Sequence, residues 1–237
     1  MSMAGEMTIR VNFGKSMPLF PLSSPSLMPQ GVLPLNIFEP RYRQMVGDAL
    51  DGAGQIAMAV FEGGRWMKEY HGRPPLRPAV CVGQIVHHVK LPDERYAIML
   101  QGICRARILQ ELPADGERLY RQAFLEPVGL DMGDETVLAP YRRHLTEVLE
   151  RKPLSDLRNS DQFVEHLRNE DVPTMAIIEL LGMTFLNDSE TRYRMLATGD
   201  AEGRVQLVSG ELESLESLLN RAAPQRAIEH PKGCSWN

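Results

Sequence analysis

Short apolar runs separated by turn residues fill the first half of the chain, and this pattern predicts β-strands. The run at 32–38 is too short for a buried helix, so we expect a strand there. Pro34 places that strand at a sheet edge, because proline cannot donate to a strand ladder. Glu39 and Pro40 then begin a short helix, since apolar residues recur every three or four positions from Tyr42 onward. We interpret this strand-to-helix corner as a core-building element rather than a ligand site.

Six further segments of the first half are predicted to be strands, at 8–13, 17–22, 55–61, 79–90, 96–111 and 120–128. The run at 55–61 is continuously apolar, which is typical of a strand covered on both faces. The strands at 79–90 and 96–111 are long enough to bend around a closed or nearly closed barrel. Residues 62–78 are rich in glycine and proline, so we expect a long loop.

After Gly129 the apolar period lengthens to three or four residues, which predicts helices. Asp134 or Thr136 would cap the first helix, and the last is expected over residues 202–222. The last helix carries an apolar stripe made of Val205, Val208, Leu212, Leu215 and Leu219. We expect it to dock as far as about Leu212 and to leave the rest free, so that the protein is a monomer or a weak homodimer.

These patterns predict an α+β fold, in which a β-barrel-type domain precedes an α-helical bundle that ends in a long helix. The expected boundaries are 8–130 for the β domain, 134–222 for the helical subdomain and 223–237 for a disordered tail. The link between the two halves is short, so we expect them to share one interface and not to tumble independently.

The composition, with 43% hydrophobic and 24% charged residues, is that of an ordinary soluble globular protein. A net charge of −5 gives no general attraction to nucleic acid or to anionic membranes. The first residues lack the apolar core of a signal peptide, and no run is long enough to cross a bilayer. Three widely spaced cysteines favour a reducing compartment, so we expect a cytoplasmic protein in which Cys81 and Cys104 act as small hydrophobes.

The order of these segments resembles the Lon N-terminal domain, the substrate-binding module of Lon proteases that also occurs in cereblon and in free-standing bacterial proteins. The resemblance extends from about 17 to 219 and rests on the corner at 32–45. The further motifs are MPLFPL at 17–22, VGQI at 82–85, DERY at 93–96 and QGICR at 101–105. The resemblance implies a PUA-like β domain followed by the helices. It also implies structural roles for the motif residues Leu35, Phe38, Glu39, Pro40, Arg41, Tyr42, Gly83, Gly102 and Arg105.

No catalytic residue, metal site or cofactor is predicted. The Gly-Lys-Ser sequence at 14–16 lacks the first glycine of a phosphate loop, because Ile9 stands there, and Pro18 forbids the helix that should follow. His87 and His88 point to opposite faces of a strand and cannot share a metal ion. The ATPase and Ser-Lys protease parts of a Lon protease have no counterpart motif, so we do not expect an enzyme.

Two arginines of the long strand at 96–111 need partners in an acidic protein. Arg105 and Arg107 share one strand face by alternation. Pairing with Glu111 or Asp115 would account for these arginines as well as a bound phosphate would.

The loop at 62–78 is the candidate polypeptide-binding surface, with Phe61, Trp66, Met67 and Tyr70 as its residues. Aromatic side chains and methionine are over-used at adaptable binding surfaces. In the alternative interpretation the loop folds back and Trp66 caps an open barrel end, which the usual burial of a single tryptophan favours.

Two main functions compete. The first is a non-catalytic module that binds unfolded or tagged polypeptide and serves a separate protease as an adaptor, using apolar patches and strand addition beside Pro34. The alternative is RNA binding, because the PUA-like class includes RNA-binding domains and local cations lie at Arg65, Lys68, His71, Arg73 and Arg77. The acidic chain argues against it, since counterion release would supply little affinity. A residual hydrolase activity is a third and weaker hypothesis.

Overall fold

The computed structural model describes residues 9–70 and 72–226 and begins with a mixed β-sheet. The strands are β1 Met17–Leu22, β2 Val32–Ile37, β3 Gln55–Val60, β4 Ala79–Lys90, β5 Tyr96–Glu111 and β6 Arg121–Val128. The helices are α1 Pro40–Leu50, α2 Glu135–Glu150, α3 Ser160–Arg168, α4 Thr174–Phe185, α5 Ser189–Ala197 and α6 Ala201–Arg226. The α+β prediction is therefore confirmed, as is the long final helix.

The sheet closes on itself. Its strand order is β2-β5-β4-β3-β1-β6, and a further pairing of β5 with β6 closes five strands into a ring. The 16 residues of β5 make this possible, because one half of the strand pairs with β2 and the other half with β6. The prediction of a closed barrel is confirmed, and β2 lies outside the ring as the edge strand that Pro34 indicated.

The corner after β2 forms as expected. Pro40 occupies the first turn of α1, and the helix buries Tyr42, Met45 and other apolar residues of one face. Phe38 is a correction, because it is 64% exposed and does not join this core. The chain turns between β2 and α1 at this point, so the residue falls on neither buried face.

Two other predictions need correction. Residues 9–13 of the expected extra strand at 8–13 are not in a strand, since β1 already pairs with β3 and β6 and offers no open edge. Residue 8 lies outside the described residues. In the expected tail, 223–226 continue α6, and 227–237 lie outside the described residues.

One apolar cluster runs through both halves of the chain. It joins the sheet residues Met58 and Leu100 to Leu145 of α2, Ile178 of α4 and Val205 of α6, among others. The predicted shared interface between the halves is therefore present. Since burial of apolar area drives folding, a core common to both halves couples their stability.

A buried charge cluster stands within that interface. Arg105 on β5 makes a bidentate ion pair with Glu179 on α4, at 2.7 and 2.6 Å, and Arg204 Nε on α6 lies 3.5 Å from Glu179 Oε1. Burial lowers the pKa of Arg204. The expected pairing of Arg105 with Glu111 or Asp115 was wrong, because this part of β5 faces the helices, and its partner is 74 residues away in sequence.

The other charged residues of β5 also pair with residues that the sequence did not predict. Arg107 pairs with Glu126 on the neighbouring strand β6. Glu111 accepts from both Arg73 and Arg121. The pairing expected for Arg107 was therefore wrong as well, because cross-strand neighbours lie closer than positions further along one strand.

The apolar stripe of α6 changes its environment along the helix. Val205, Val208 and Leu212 are fully buried, whereas Leu215 and Leu219 are partly buried against the same core. Full burial therefore ends at Leu212, but the expectation that the rest of the helix is free was wrong, because Leu215 and Leu219 still pack against the core. The weak dimer expected beyond this point stays a prediction.

Candidate functional site

Outside the ring, β2, β5 and β4 continue as a three-stranded segment with one open face. Cross-strand partners lie on the same face of a sheet, so the registers assign its residues. This outer face comprises Val32, Pro34, Asn36, Ala97, Met99, Gln101, His87 and Val89. The opposite face carries Leu33, Leu100 and Ile85, which pack in or against the main core.

Apolar side chains of this segment remain in contact with solvent. Val32, Val89 and Val86, which stands at the register shift of β4, are each exposed by 45–49%. Phe38 follows β2 directly and is more exposed still. A group of exposed apolar residues on a folded chain marks an interaction surface more often than isolated ones do.

The edge of the segment is open as well. Within the described residues β2 pairs with β5 alone, so one side of β2 has no strand partner. A free strand edge presents backbone N–H and C=O groups that can pair with another extended chain. Pro34 removes one donor from β2, which limits uncontrolled pairing along it.

The corner and the loop, which the sequence analysis treated separately, meet in one hydrogen-bonded network. Tyr70 donates its hydroxyl to Glu39 Oε1 at 2.6 Å, and Arg41 Nη1 donates to the Tyr70 carbonyl oxygen at 3.2 Å. The Arg41 guanidinium also lies 4.6 and 4.4 Å from the ring centres of Tyr42 and Tyr70. Burial, together with the bond to Glu39, raises the pKa of Tyr70. The network anchors the loop to the start of α1.

The aromatic residues of the loop pack on one another. Trp66 stacks on Phe61 with 5.2 Å between ring centres, and Tyr70 meets both rings edge-on at 6.3 Å. Phe61 is buried and Trp66 and Tyr70 are half-buried, whereas Met67 is 69% exposed. Of the four predicted binding residues, Met67 alone is exposed. The ring packing agrees with the alternative interpretation, in which the loop folds back on the β domain.

The motif residues of the sheet are held by close packing. A Cβ on Gly102 would lie 2.0 Å from the carbonyl oxygen of Met28, and one on Gly83 would lie 2.6 Å from Leu100 Cγ. Leu35 packs against the main core. These contacts explain why small residues stand at 83 and 102.

The described residues show no cluster of His, Cys, Asp or Glu that could hold a metal ion. Cys81 and Cys104 are free thiols, and burial raises the pKa of Cys104 to about 11. Of the cations considered for RNA binding, Arg73 and Arg77 are paired with Glu111 and Glu190. Among residues 9–70 and 72–226, no helix has the length and apolar character of a membrane span.

The outer face was not predicted from the sequence. Its signal was present in β4, where the apolar run gives way to the polar pair at His87 and His88, so the strand leaves the core at that point. The sequence of β2 did not reveal it, because apolar residues stand on both faces of this strand, and the pattern does not show which face is exposed. Only the cross-strand registers bring Val32 and Val89 onto one face.

The fold, a mixed six-stranded sheet with a helical bundle and a long final helix, defines a class with known members. The family description "ATP-dependent protease La (LON) substrate-binding domain" matches residues 16–214, and the chain belongs to this family. A Lon protease of Desulfosudis oleivorans is 27% identical over 86% of this chain and 24% of its own length. For a Lon protease of Haemophilus influenzae the values are 23%, 88% and 25%. The chain thus spans about a quarter of the length of these relatives.

Solved structures show the same fold. The N-terminal domain of a Mycobacterium avium complex Lon protease matches with a TM-score of 0.60 and 18% identity, over 84% of this chain and 98% of that one. A Lon N-terminal domain protein from Xanthomonas campestris matches with a TM-score of 0.55 and 22% identity, over 87% and 98%. Both pairs align almost the entire solved domain.

Proposed function

We propose that the protein is a non-catalytic recognition module that binds unfolded or tagged polypeptide segments and serves a separate protease as an adaptor. Membership of a substrate-binding family supports a recognition role. The observation that carries the proposal is the outer face with its exposed Val32 and Val89, together with the open edge of β2. We further infer a cytoplasmic location and the PUA-like class for the β domain.

The mode of binding follows from the geometry of the segment. An extended polypeptide would add to β2 through backbone hydrogen bonds, which do not depend on its sequence. Its apolar side chains would lie beside Val32, which removes apolar area from water. Val89 lies two strands away on β4, so a further part of the client would cover it. Unfolded chains expose both backbone groups and apolar side chains, whereas folded proteins hide them, so this surface discriminates between the two states.

The loop takes a supporting part in this proposal. Met67 is the loop residue that offers a flexible, exposed apolar side chain to a client. Phe61, Trp66 and Tyr70 hold the loop against the corner through their stacked rings and the bond to Glu39. Their replacement would therefore alter binding through loop position rather than through direct contact.

Anisotropy measurements with fluorescently labelled, reduced casein test the proposal. The double variant Val32→Asp with Val89→Asp places two charges on the outer face, and we expect its affinity to fall at least tenfold, about 1.4 kcal/mol. Val137→Asp with Leu218→Asp is the matched control, because it adds the same two charges at exposed apolar positions of α2 and α6. Unfolding midpoints of all proteins should agree, so that a fold defect is not read as lost binding.

Two results would count against the proposal. Equal losses of affinity in the outer-face double variant and in the control with Val137→Asp and Leu218→Asp would show that net charge, not the outer face, controls binding. Saturable binding by none of the proteins, including the unmodified one, would reject polypeptide recognition itself.

A further inference from the structure

A second candidate site lies between β1, the start of α1 and the chain before β6. It is a cavity of about 220 Å³ whose wall includes Arg41, Arg73, Arg118, Arg121, Tyr42 and Tyr120. No aspartate or glutamate of the described residues lines it. Four guanidinium groups around one small cavity in an acidic protein call for a physical explanation.

The acidic partners of three of these arginines stand outside the wall. Arg118 pairs with Asp115 at 2.7 Å. Arg73 and Arg121 share Glu111, at 3.2 and 2.5 Å, so one carboxylate serves two cations. All three side-chain nitrogens of Arg121 donate, to Glu111 and to the Pro74 carbonyl oxygen. Arg121 is therefore held in place by the protein. Arg118 is held less tightly, because among the described bonds only one of its side-chain nitrogens, Nη1, donates, to Asp115.

The start of α1 contributes Arg41 and Tyr42 to the wall of the cavity. The first turn of this helix contains no acidic residue, but Glu39 stands at its N-cap. The Glu39 carboxylate is held by Arg41 and Tyr70 and makes no capping hydrogen bond. The helix end and Arg41 therefore already have a counter-charge, and the other arginines of the wall are the candidates for binding an anion.

Two of the arginines keep side-chain nitrogens for a ligand. Among the described bonds, Arg73 donates through Nη2 alone, to Glu111 and to the Leu112 carbonyl oxygen. Arg118 likewise donates through Nη1 alone. The hydroxyl of Tyr120 is already used, because it donates to Asp48 at 2.8 Å. The groups left to receive an acceptor are therefore the guanidinium groups of Arg73 and Arg118.

We propose that this cavity binds one small oxyanion group, a carboxylate or a phosphate. Arg73 and Arg118 would donate to it, since arginine recognises both groups through paired N–H bonds. Arg121 and Tyr120 act as positioning residues. The volume lies below the roughly 300–1,000 Å³ of pockets for whole small molecules, so it suits a single group. The site is independent of the outer face and does not require polypeptide binding there.

Calorimetric titration at constant ionic strength, set with sodium chloride, tests the site and its source of anion. One arm uses inorganic phosphate, and the other uses a short peptide with a free C-terminal carboxylate beside the same peptide with a C-terminal amide. Arg118→Gln is the variant, and Arg107→Gln is its control, because Arg107 is a paired, exposed arginine on β5 away from this cavity. We expect at least a tenfold weaker affinity in Arg118→Gln, since a charge-assisted hydrogen bond to the anion is lost, and no change in the control.

Each outcome decides the matter. Saturable phosphate binding lost in Arg118→Gln supports the site with a free anion as ligand. Binding of the carboxylate peptide but not its amide supports the site with a polypeptide terminus as ligand. Absence of binding in both arms, or equal losses in Arg118→Gln and Arg107→Gln, overturns the proposal, whatever the casein measurements show.

Discussion

The buried ion pair between the two halves makes a strong prediction about stability. The side chains of Arg105 and Glu179 are 3% and 4% exposed, and Arg204 contacts the same carboxylate. Glu179→Gln removes the negative charge while keeping nearly the same shape. Two buried guanidinium groups would then remain without a counter-charge.

The expected cost follows from desolvation. Breaking a buried pair by removing one partner costs about 3–5 kcal/mol, because the remaining charge stays out of water. For a chain of this size each kcal/mol lowers the melting temperature by about 2–4 °C, so we expect a decrease of roughly 10 °C. Urea unfolding and thermal circular dichroism would measure both quantities.

A second ion pair between the halves provides the control. Arg77 and Glu190 also form a bidentate pair, at 2.6 and 2.9 Å, but the Glu190 side chain is 62% exposed. Exposed ion pairs contribute little to stability because water screens them, so Glu190→Gln should lower the melting temperature by only a few degrees. Similar losses in Glu179→Gln and Glu190→Gln would refute the reasoning, since burial would then not set the cost.

Two further predictions concern packing and pH. Gly102→Ala should destabilise the protein by about 1–3 kcal/mol, because its Cβ would meet the Met28 carbonyl oxygen. Gly64 has open space around it, so the control Gly64→Ala should change the free energy of unfolding by less than about 0.5 kcal/mol. Urea titrations of both variants check this, and equal effects would contradict it. Burial first, then the bond to Asp48, raises the pKa of Tyr120 from 10.0 to about 12. Above about pH 10 the unfolded chain loses the proton first, so stability should fall as the pH rises towards about 12, and less steeply in Tyr120→Phe. Unfolding midpoints between these pH values test this, and a Tyr120→Phe profile that coincides with the unmodified one would contradict it.

The sequence predicted the elements well where local signals agree. Pro34 marked the edge strand, Asp134 caps α2 by accepting from the Thr136 N–H, and the length of β5 indicated ring closure. Local pattern could not supply partners between distant segments. The Arg105–Glu179 pair and the meeting of Glu39 with Tyr70 depend on how the chain returns to itself, and periodicity carries no information about that.

The candidate sites were harder still. The loop was predicted to bind polypeptide because of its aromatic residues. Those rings instead pack on one another, which composition alone cannot show. The outer face required the register of three strands. Predicting the cavity beside α1 would have required knowing which arginines line it and that their partner carboxylates do not.

Hydrogen exchange with and without an unfolded client tests the central claim most directly. If polypeptide adds to the open edge, amides of β2 at Val32–Ile37 should exchange more slowly in the complex, while those of α2 at Glu135–Glu150 should not change. Protection that appears only in the helical half, with β2 unchanged, would contradict the account.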